Sequence, residues 1–194
     1  WTHAQGQRHY DGLTNRQVPL STSSGVRQDA LTLHGFMPVS EHWAFGAQVR
    51  ALDMLRDIHS TASVLGYPER FNYWQLALGT RYQTELSRDL RAGVSAWLGA
   101  GPGGHVRVAL PQLDRALLPL GASRYGQVRV ELGQATTLPS PWSWLGYASY
   151  SYDRLGAGAA AEITRNGVLA AAANQPATVQ QHLSLGVKLT YRLP

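Results

Sequence analysis

The stretch from Leu183 to Leu193 alternates between apolar and polar residues without a break. One side carries leucine, valine and tyrosine, and the other carries serine, glycine, threonine and two basic residues, Lys188 and Arg192. An alternation with a period of two is typical of a β-strand with one apolar face. Because similar stretches recur along the whole chain, we expect an all-β protein built from antiparallel strands.

Composition excludes several classes of protein. The chain has 194 residues, which suits one domain, and we treat 1–194 as a single domain. No segment approaches the ~18–20 consecutive apolar residues that a membrane helix needs. The 17 basic residues outnumber the 12 acidic ones, but they are scattered singly, so nucleic acid is not an expected partner. A soluble β protein and a membrane barrel remain.

Two further features bear on the compartment. The sequence contains no cysteine, which excludes disulfides and thiolate chemistry and fits passage through an oxidising periplasm. It begins at Trp1 without a basic and then apolar leader. We therefore expect that a signal peptide has been removed or that an N-terminal region lies outside the sequence.

The connections between the alternating segments are short and long in strict turn, as in bacterial outer-membrane barrels. We predict eight strands, an even number that allows closure of a barrel with both termini on the short-turn side. The predicted strands are 1–10, 26–39, 42–55, 70–86, 89–100, 124–138, 142–154 and 181–193, joined by short turns near 40–41, 87–89 and 139–141 and by long loops at 11–25, 56–69, 101–122 and 155–179.

The two largest loops are unusual in composition. Loop 101–122 is too apolar to be freely solvated, and we expect it to extend the strands above the membrane or to fold over the mouth of the barrel. Loop 155–179 is rich in alanine and glycine, and its segments 159–164 and 168–173 are predicted short helical turns. Binding tends to reside in loops that a rigid scaffold carries, so a partner protein or an oligomer contact through these loops is a further expectation.

The faces of the strands separate by chemistry. A membrane barrel turns its apolar side to lipid and its polar side to the lumen, whereas a soluble ligand-binding barrel, the structural alternative, does the reverse. The predicted lipid-facing residues are Leu31, Leu33, Met37, Val39, Phe45, Ala47, Val49, Ala51, Leu76, Leu78, Thr80, Leu90, Ala92, Val94, Ala96, Leu98, Val128, Val130 and Leu132, with the apolar side of 183–193.

Five aromatic residues decide between these two orientations. They share the apolar parity of their strands and lie next to the short turns, where tryptophan and tyrosine would sit at the level of lipid headgroups. This predicted membrane-interface girdle consists of Trp43, Tyr82, Trp142, Trp144 and Tyr191, and Trp74 and Tyr152 are candidates for the opposite interface.

With these features the chain resembles the small eight-stranded bacterial outer-membrane barrels, the group that includes the transmembrane domain of OmpA, OmpX and OmpW. The resemblance covers nearly the whole chain and rests on the strand and loop pattern. It implies an antiparallel closed transmembrane β-barrel in the bacterial outer membrane. It also implies the lipid bilayer and lipopolysaccharide as surroundings.

The charged residues on the polar faces form a second candidate site. In a barrel of this size the lumen is only wide enough for side chains to fill, and an unpaired buried charge costs several kcal/mol. We therefore expect a network of salt bridges that holds the barrel shut, with an anion-preferring channel as the alternative. The predicted lumenal charge network consists of Arg50, Arg81, Glu85, Arg91, Arg129, Glu131, Lys188 and Arg192.

Enzymatic and metal-binding patterns are incomplete. His182 and Ser184 resemble the His-x-Ser of outer-membrane lipid A deacylases, but a third residue that would orient the histidine is missing. No carboxylate completes a metal site with the histidines, so no catalytic residue, metal or cofactor is expected. The expected function is a non-enzymatic barrel that anchors or displays loops, or binds a small ligand or partner. The alternatives are a narrow channel for small polar or anionic solutes, a lipid-modifying hydrolase, and the terminal barrel domain of a larger export protein.

Overall fold

The computed structural model describes residues 1–13, 19–61, 65–135 and 141–191, together with their side chains except those of 8–13, 19 and 20. These residues form twelve β-strands and no helix, so they include no helical segment able to cross a membrane. The strands are β1 (Thr2–Leu13), β2 (Pro19–Pro38), β3 (Trp43–Ile58), β4 (Tyr67–Glu85), β5 (Leu90–Gly101), β6 (Gly104–Val108), β7 (Ala116–Pro119), β8 (Ser123–Gln134), β9 (Trp142–Leu155), β10 (Ala161–Arg165), β11 (Val168–Ala173) and β12 (Thr178–Tyr191).

Eight long strands form one sheet in the order β1-β2-β3-β4-β5-β8-β9-β12, and every neighbouring pair is antiparallel. These eight correspond to the eight predicted segments. The all-β, antiparallel class that the alternation predicts is therefore confirmed. The short strands β6 and β7 join this sheet, and β10 and β11 form a separate two-stranded sheet.

The sheet is strongly curled but open. Its curl brings β3 and β9 close together. Across the inside, Arg50 on β3 donates a hydrogen bond of 3.3 Å to Asp153 on β9. However, the edge strands β1 and β12 do not pair within the described residues. The predicted closed, eight-stranded barrel is thus not what is observed. In the described residues β1 pairs with β2 from Thr2 opposite Ala30 to Leu13 opposite Pro19.

The four short strands account for the difference between eight strands and twelve. β6 and β7 continue the register in which β5 pairs with β8, from Gly101 opposite Ser123 to His105 opposite Pro119. The β10–β11 hairpin lies beyond the ladder between β9 and β12. Connection 101–122 therefore extends the main sheet through β6 and β7, whereas connection 155–179 forms a separate two-stranded sheet.

The hairpin of β10 and β11 corrects another prediction. Segments 159–164 and 168–173 are not helical turns, since they lie in or beside these strands. Asn166 and Gly167 connect the strands with φ of 52° and 77°, and two left-handed residues in succession define the tight turn that matches strand twist. This turn chemistry overrides the helical propensity of the neighbouring alanines.

A bulge at Gly103 separates β5 from β6. Leu76 pairs with Ala100 and Tyr73 with Gly104, so one extra residue lies between the two strands as they run along β4. Gly103 adopts φ +94° there, a conformation that glycine tolerates best. One extra residue exchanges the two faces of a strand. Val106 and Val108 therefore face inward and are buried.

A hydrophobic core fills the inside of the curl at the long-loop end. It combines the ends of the long strands with residues of β6, β7 and β10. Its buried members are Val26, Ala30, Leu52, Met54, Phe71, Tyr73, Val106, Val108, Ala116, Leu118, Leu120, Leu155 and Ile163. This end of the curl is therefore filled by apolar side chains.

Candidate functional site

The outer face of the curled sheet carries a continuous belt of exposed apolar side chains, which we call the apolar band. Leu78, Leu98 and Leu185 are 73%, 76% and 78% exposed. The band contains the predicted lipid-facing positions, and its large exposed members are Leu31, Leu33, Met37, Val39, Phe45, Val49, Leu76, Leu78, Val94, Leu98, Val128, Val130, Leu132, Leu183, Leu185, Val187 and Leu189. A belt of this size is far more apolar surface than monomeric soluble proteins expose.

The five predicted girdle residues lie at the short-turn border of this band. Trp43 is opposite Tyr82 in the ladder, with ring centroids 5.0 Å apart. Trp142 is opposite Tyr191, with centroids 4.8 Å apart. Trp144 is 40% exposed on the same face as Trp142. The structure thus brings four of the five together as two cross-strand aromatic pairs.

The other border of the band is marked by outward charges. Arg70 on β4 donates a hydrogen bond of 2.9 Å to Asp53 on β3. His3 lies 2.8 Å from Asp29 on the neighbouring pair of strands. Trp74 is 45% exposed directly inside this border. The apolar band therefore has aromatic residues on one side and ionic residues on the other.

Two arginines extend this ionic border without an opposite charge. Arg124 on β8 and Arg154 on β9 are exposed and directly opposite each other. No carboxylate of the described residues lies within salt-bridge distance of either guanidinium. Like charges in this position repel each other, so the pair would favour an anion between them.

The inner face carries polar and charged side chains below the hydrophobic core. The most buried group is a layer formed by Arg50, Gln75, Asp153 and Tyr125, of which Gln75 is fully buried. Arg50 Nη1 donates to Gln75 Oε1 at 2.9 Å, and Gln75 Nε2 donates to Asp153 Oδ1 at 3.1 Å. The Arg50 guanidinium also stacks 3.8 Å from the centre of the Tyr125 ring. We call these four residues the Arg50 layer.

A second ion pair lies nearer the short-turn end. Arg129 Nε is 2.6 Å from Glu131 Oε1 on the same strand. The Arg129 guanidinium also lies 3.9 Å from the centre of the Tyr147 ring. These two members of the predicted charge network are therefore in close contact on the inner face.

The rest of the predicted charge network is placed differently. Arg81 stacks 4.2 Å from the centre of the Phe36 ring. Glu85 and Arg91 are opposite each other in register, yet in the part of the chain that the structure describes neither they, nor Arg81, nor Lys188 has a charged partner within 4 Å. Arg192 lies outside the described residues. Three basic groups are thus left on the inner face without a carboxylate.

These groups surround a cavity of about 700 Å³ inside the curl. Its lining includes Arg81, Arg91, Arg129 and Lys188, with aromatic residues such as Trp97 on its wall. The Arg50 layer and the hydrophobic core lie at its long-loop end. Its volume falls in the range of about 300–1,000 Å³ that is usual for small-molecule sites.

Further ionic contacts hold the strands together at the long-loop end. Arg56 Nε donates to Glu69 Oε2 at 2.6 Å, and Glu69 is buried. Asp114 joins the tips of two hairpins, since its carboxylate accepts hydrogen bonds from the Thr164 hydroxyl at 2.6 Å and from the Gly167 amide at 3.0 Å. These bonds lower the pKa of Asp114. Sequence reasoning missed Asp114, although an aspartate beside a turn is a usual signal of this kind of contact.

The two residues of the hydrolase alternative, His182 and Ser184, lie two positions apart on β12. His182 Nε2 lies 3.4 Å from Gln180 Oε1, and no hydrogen bond joins His182 to the exposed Ser184. Among the residues with described positions, no group of three or more histidines and carboxylates could hold a metal ion. The short turn at 139–141 lies mostly outside the described residues.

Comparison with protein-family models, with curated proteins and with solved structures gives no match for this chain.

Proposed function

We propose that this chain is a non-enzymatic integral protein of the bacterial outer membrane, whose curled sheet crosses the bilayer and displays the long loops outside. The apolar band carries this proposal. Buried apolar surface is worth about 25 cal/mol per Å² when it leaves water, so a belt of exposed leucine, valine and phenylalanine around a polar interior favours lipid as the surrounding solvent. A soluble barrel would have the opposite arrangement.

The height of the apolar band fits a bilayer. From Leu183 to Tyr191 the strand extends for about 26 Å, and with a strand tilt of about 40° this corresponds to about 20 Å along the membrane normal. Outer-membrane barrels present an apolar belt about 25 Å tall between two interfaces. The aromatic pairs at one border and the ion pairs at the other suit the two levels of lipid headgroups.

The orientation follows from the loops. Short turns face the periplasm and long loops face outward in proteins of this kind. The Arg124–Arg154 pair then lies at the outer headgroup level. There, phosphate groups of lipopolysaccharide would relieve the repulsion between the two guanidinium groups. Lipopolysaccharide is therefore the lipid that we propose for this border.

The interior favours a closed lumen over a channel. The Arg50 layer spans the inside of the curl, and the hydrophobic core fills the space above it. We therefore expect negligible conductance in planar bilayers. Reproducible anion-selective steps would instead support the channel alternative.

The proposal is tested by expressing the chain in a Gram-negative host with a cleavable signal peptide. We expect it in the outer-membrane fraction, released only by detergent, with a folded form that migrates differently from the boiled form on gels. A peptide tag inserted at 166–167 should be cleaved from intact cells by external protease, whereas the same tag at 87–89 should be protected. Recovery of folded protein in the periplasm without detergent would refute the proposal.

A further inference from the structure

We infer that the cavity inside the curl is a binding site for a small organic anion that carries at least two negative charges. The inference concerns the inner face alone and goes beyond the membrane location proposed above. It starts from the charges that line the cavity. Five basic residues line it, namely Arg50, Arg81, Arg91, Arg129 and Lys188, whereas Glu131 is the one carboxylate among its described lining residues.

Ion pairs within the folded chain neutralise two of these five charges. Arg50 is neutralised by Asp153 behind the cavity wall, and Arg129 by Glu131. Arg81, Arg91 and Lys188 have no carboxylate within 4 Å in the described structure, although Glu85 lies opposite Arg91 in the ladder. Three cations that line one cavity repel each other, and an anionic ligand relieves this repulsion.

The basic groups also have free hydrogen-bonding capacity. The Nε atom of Arg91 is buried and has no hydrogen-bond partner among the described atoms. A buried donor without a hydrogen-bond partner destabilises the folded chain, and a ligand that supplies an acceptor removes this cost. Arginine presents its N–H groups as a fork that matches a carboxylate or phosphate. Arg91 is therefore the residue that we assign to direct contact with the anion.

One wall of the cavity is apolar and rigid. Trp97 is 5% exposed and lies flat against the sheet over two glycines. A Cβ atom at Gly79 would lie 2.4 Å from the Trp97 ring, and one at Gly46 would lie 2.8 Å from it. Phe36 packs against Trp97 with ring centroids 5.1 Å apart, and the same Phe36 ring positions the Arg81 guanidinium. A ligand with a planar apolar body between its charges matches this combination.

The cavity is reached from the short-turn end. Lys188, Thr190 and Glu85 are exposed on the inner face there, while the Arg50 layer closes the opposite end. In the proposed membrane orientation the ligand would enter from the periplasm. The cavity itself exists in the folded chain whether or not a bilayer surrounds it.

Isothermal titration calorimetry on the full chain in detergent micelles tests this inference. Isophthalate serves as the probe, because it has two carboxylates on a planar ring, and neutral isophthalamide is its matched control. We expect isophthalate to bind at low salt and isophthalamide not to bind. Loss of one charged contact in Arg91→Gln or in Lys188→Gln should weaken isophthalate at least about tenfold.

The outward arginine Arg124 provides the control variant. Arg124→Gln removes the same charge from the chain but leaves the cavity intact, so it should bind isophthalate as the original chain does. Unchanged gel mobility of folded and boiled samples verifies that each variant folds. The inference would be overturned if isophthalamide bound as tightly as isophthalate, or if Arg124→Gln weakened binding as much as Arg91→Gln does. It would also be overturned if isophthalate, pyrophosphate and citrate all failed to bind. Detergent-dependent extraction is scored separately, so failure of the membrane proposal is distinguishable from failure of this one.

Discussion

Arg124 and Arg154 face each other across β8 and β9 on the outer side of the sheet, at the border of the apolar band. Their exposure and the absence of a nearby carboxylate in the described structure make this pair a source of repulsion in the isolated protein. A surface that retains such a pair is suited to an anionic environment. In the proposed membrane location, the pair would therefore link the stability of the fold to anionic lipid.

The first prediction concerns this pair. Arg154→Glu replaces the repulsion by a cross-strand ion pair, so the variant should gain about 0.2–1 kcal/mol of unfolding free energy in a neutral detergent. Urea titration in that detergent measures the change, with Arg154→Gln as the charge-neutral control. Added lipopolysaccharide should stabilise the original chain more than Arg154→Glu. Equal stabilisation of both would contradict the proposed role of the pair.

The second prediction concerns the Arg50 layer. Asp153 is 3% exposed and is the carboxylate that neutralises Arg50. Asp153→Asn leaves the Arg50 charge buried without compensation, so we expect a loss of about 3–5 kcal/mol in unfolding free energy. The exposed turn residue Glu41 offers a control, since Glu41→Gln should change stability by less than about 0.5 kcal/mol. Similar urea midpoints for both variants would argue against a structural role of this layer.

The third prediction tests how tightly Trp97 is held. Gly79→Ala would place a methyl group into the indole ring, because the ideal Cβ position lies 2.4 Å from the ring. We expect a loss of about 1–3 kcal/mol from this overpacking. Gly35→Ala is the matched control, because nothing lies within 4 Å of its added Cβ. Tryptophan fluorescence during urea unfolding measures the stability of both variants. If Gly79→Ala were as stable as the original chain, the Trp97 ring would be able to move away from the added methyl group.

The fourth prediction follows from the pKa of Asp114, which lies below its ordinary value of 3.8 in the folded chain. A depressed pKa stabilises the fold above the unfolded-state value, and this contribution is lost as the pH falls through the lower folded-state value. The contact between the two hairpin tips should therefore weaken below about pH 4. Hydrogen exchange measures the protection of the backbone amides in 109–115 and 166–167 at pH 5 and at pH 3, and we expect less protection at pH 3. In Asp114→Asn the protection should not differ between the two pH values. An unchanged loss of protection in that variant would refute the assignment.

Particular residues show how far the sequence predicts this structure. The alternation in 183–191 and in the other long strands correctly indicated the strands and their apolar faces, because a period of two fixes the face of every residue. Strands β6 and β7 were missed because the bulge at Gly103 breaks that period, and β10 and β11 were missed because the neighbouring alanines favour a helix. The Arg50–Asp153 contact does not follow from the alternation, because it joins residues 103 positions apart through the curl of the sheet. Whether the edges close depends on pairing between β1 and β12, which no local pattern encodes.

The open edges lead to a fifth prediction. Unpaired backbone groups in hydrocarbon cost several kcal/mol each, so the edges of β1 and β12 need partners in a bilayer. In the cysteine-free chain, Gln5→Cys combined with Leu185→Cys should be joined by a short bismaleimide in liposomes, within one chain or between two. The pair Gln5→Cys with Leu78→Cys is the control, since Leu78 lies on β4, three strands away from β1. Equal yields for both pairs would contradict the expected edge pairing.

The most direct test of the membrane proposal is the environment of single spin labels in liposomes. The absence of cysteine allows clean labelling of Leu78→Cys, Leu98→Cys and Leu185→Cys on the apolar band, and of Gln83→Cys on the inner face. We predict that electron paramagnetic resonance will show the three band labels accessible to oxygen and shielded from a water-soluble nickel complex, with the opposite preference at position 83. Band labels that the nickel complex reaches as readily as the label at position 83 would contradict a lipid-facing band.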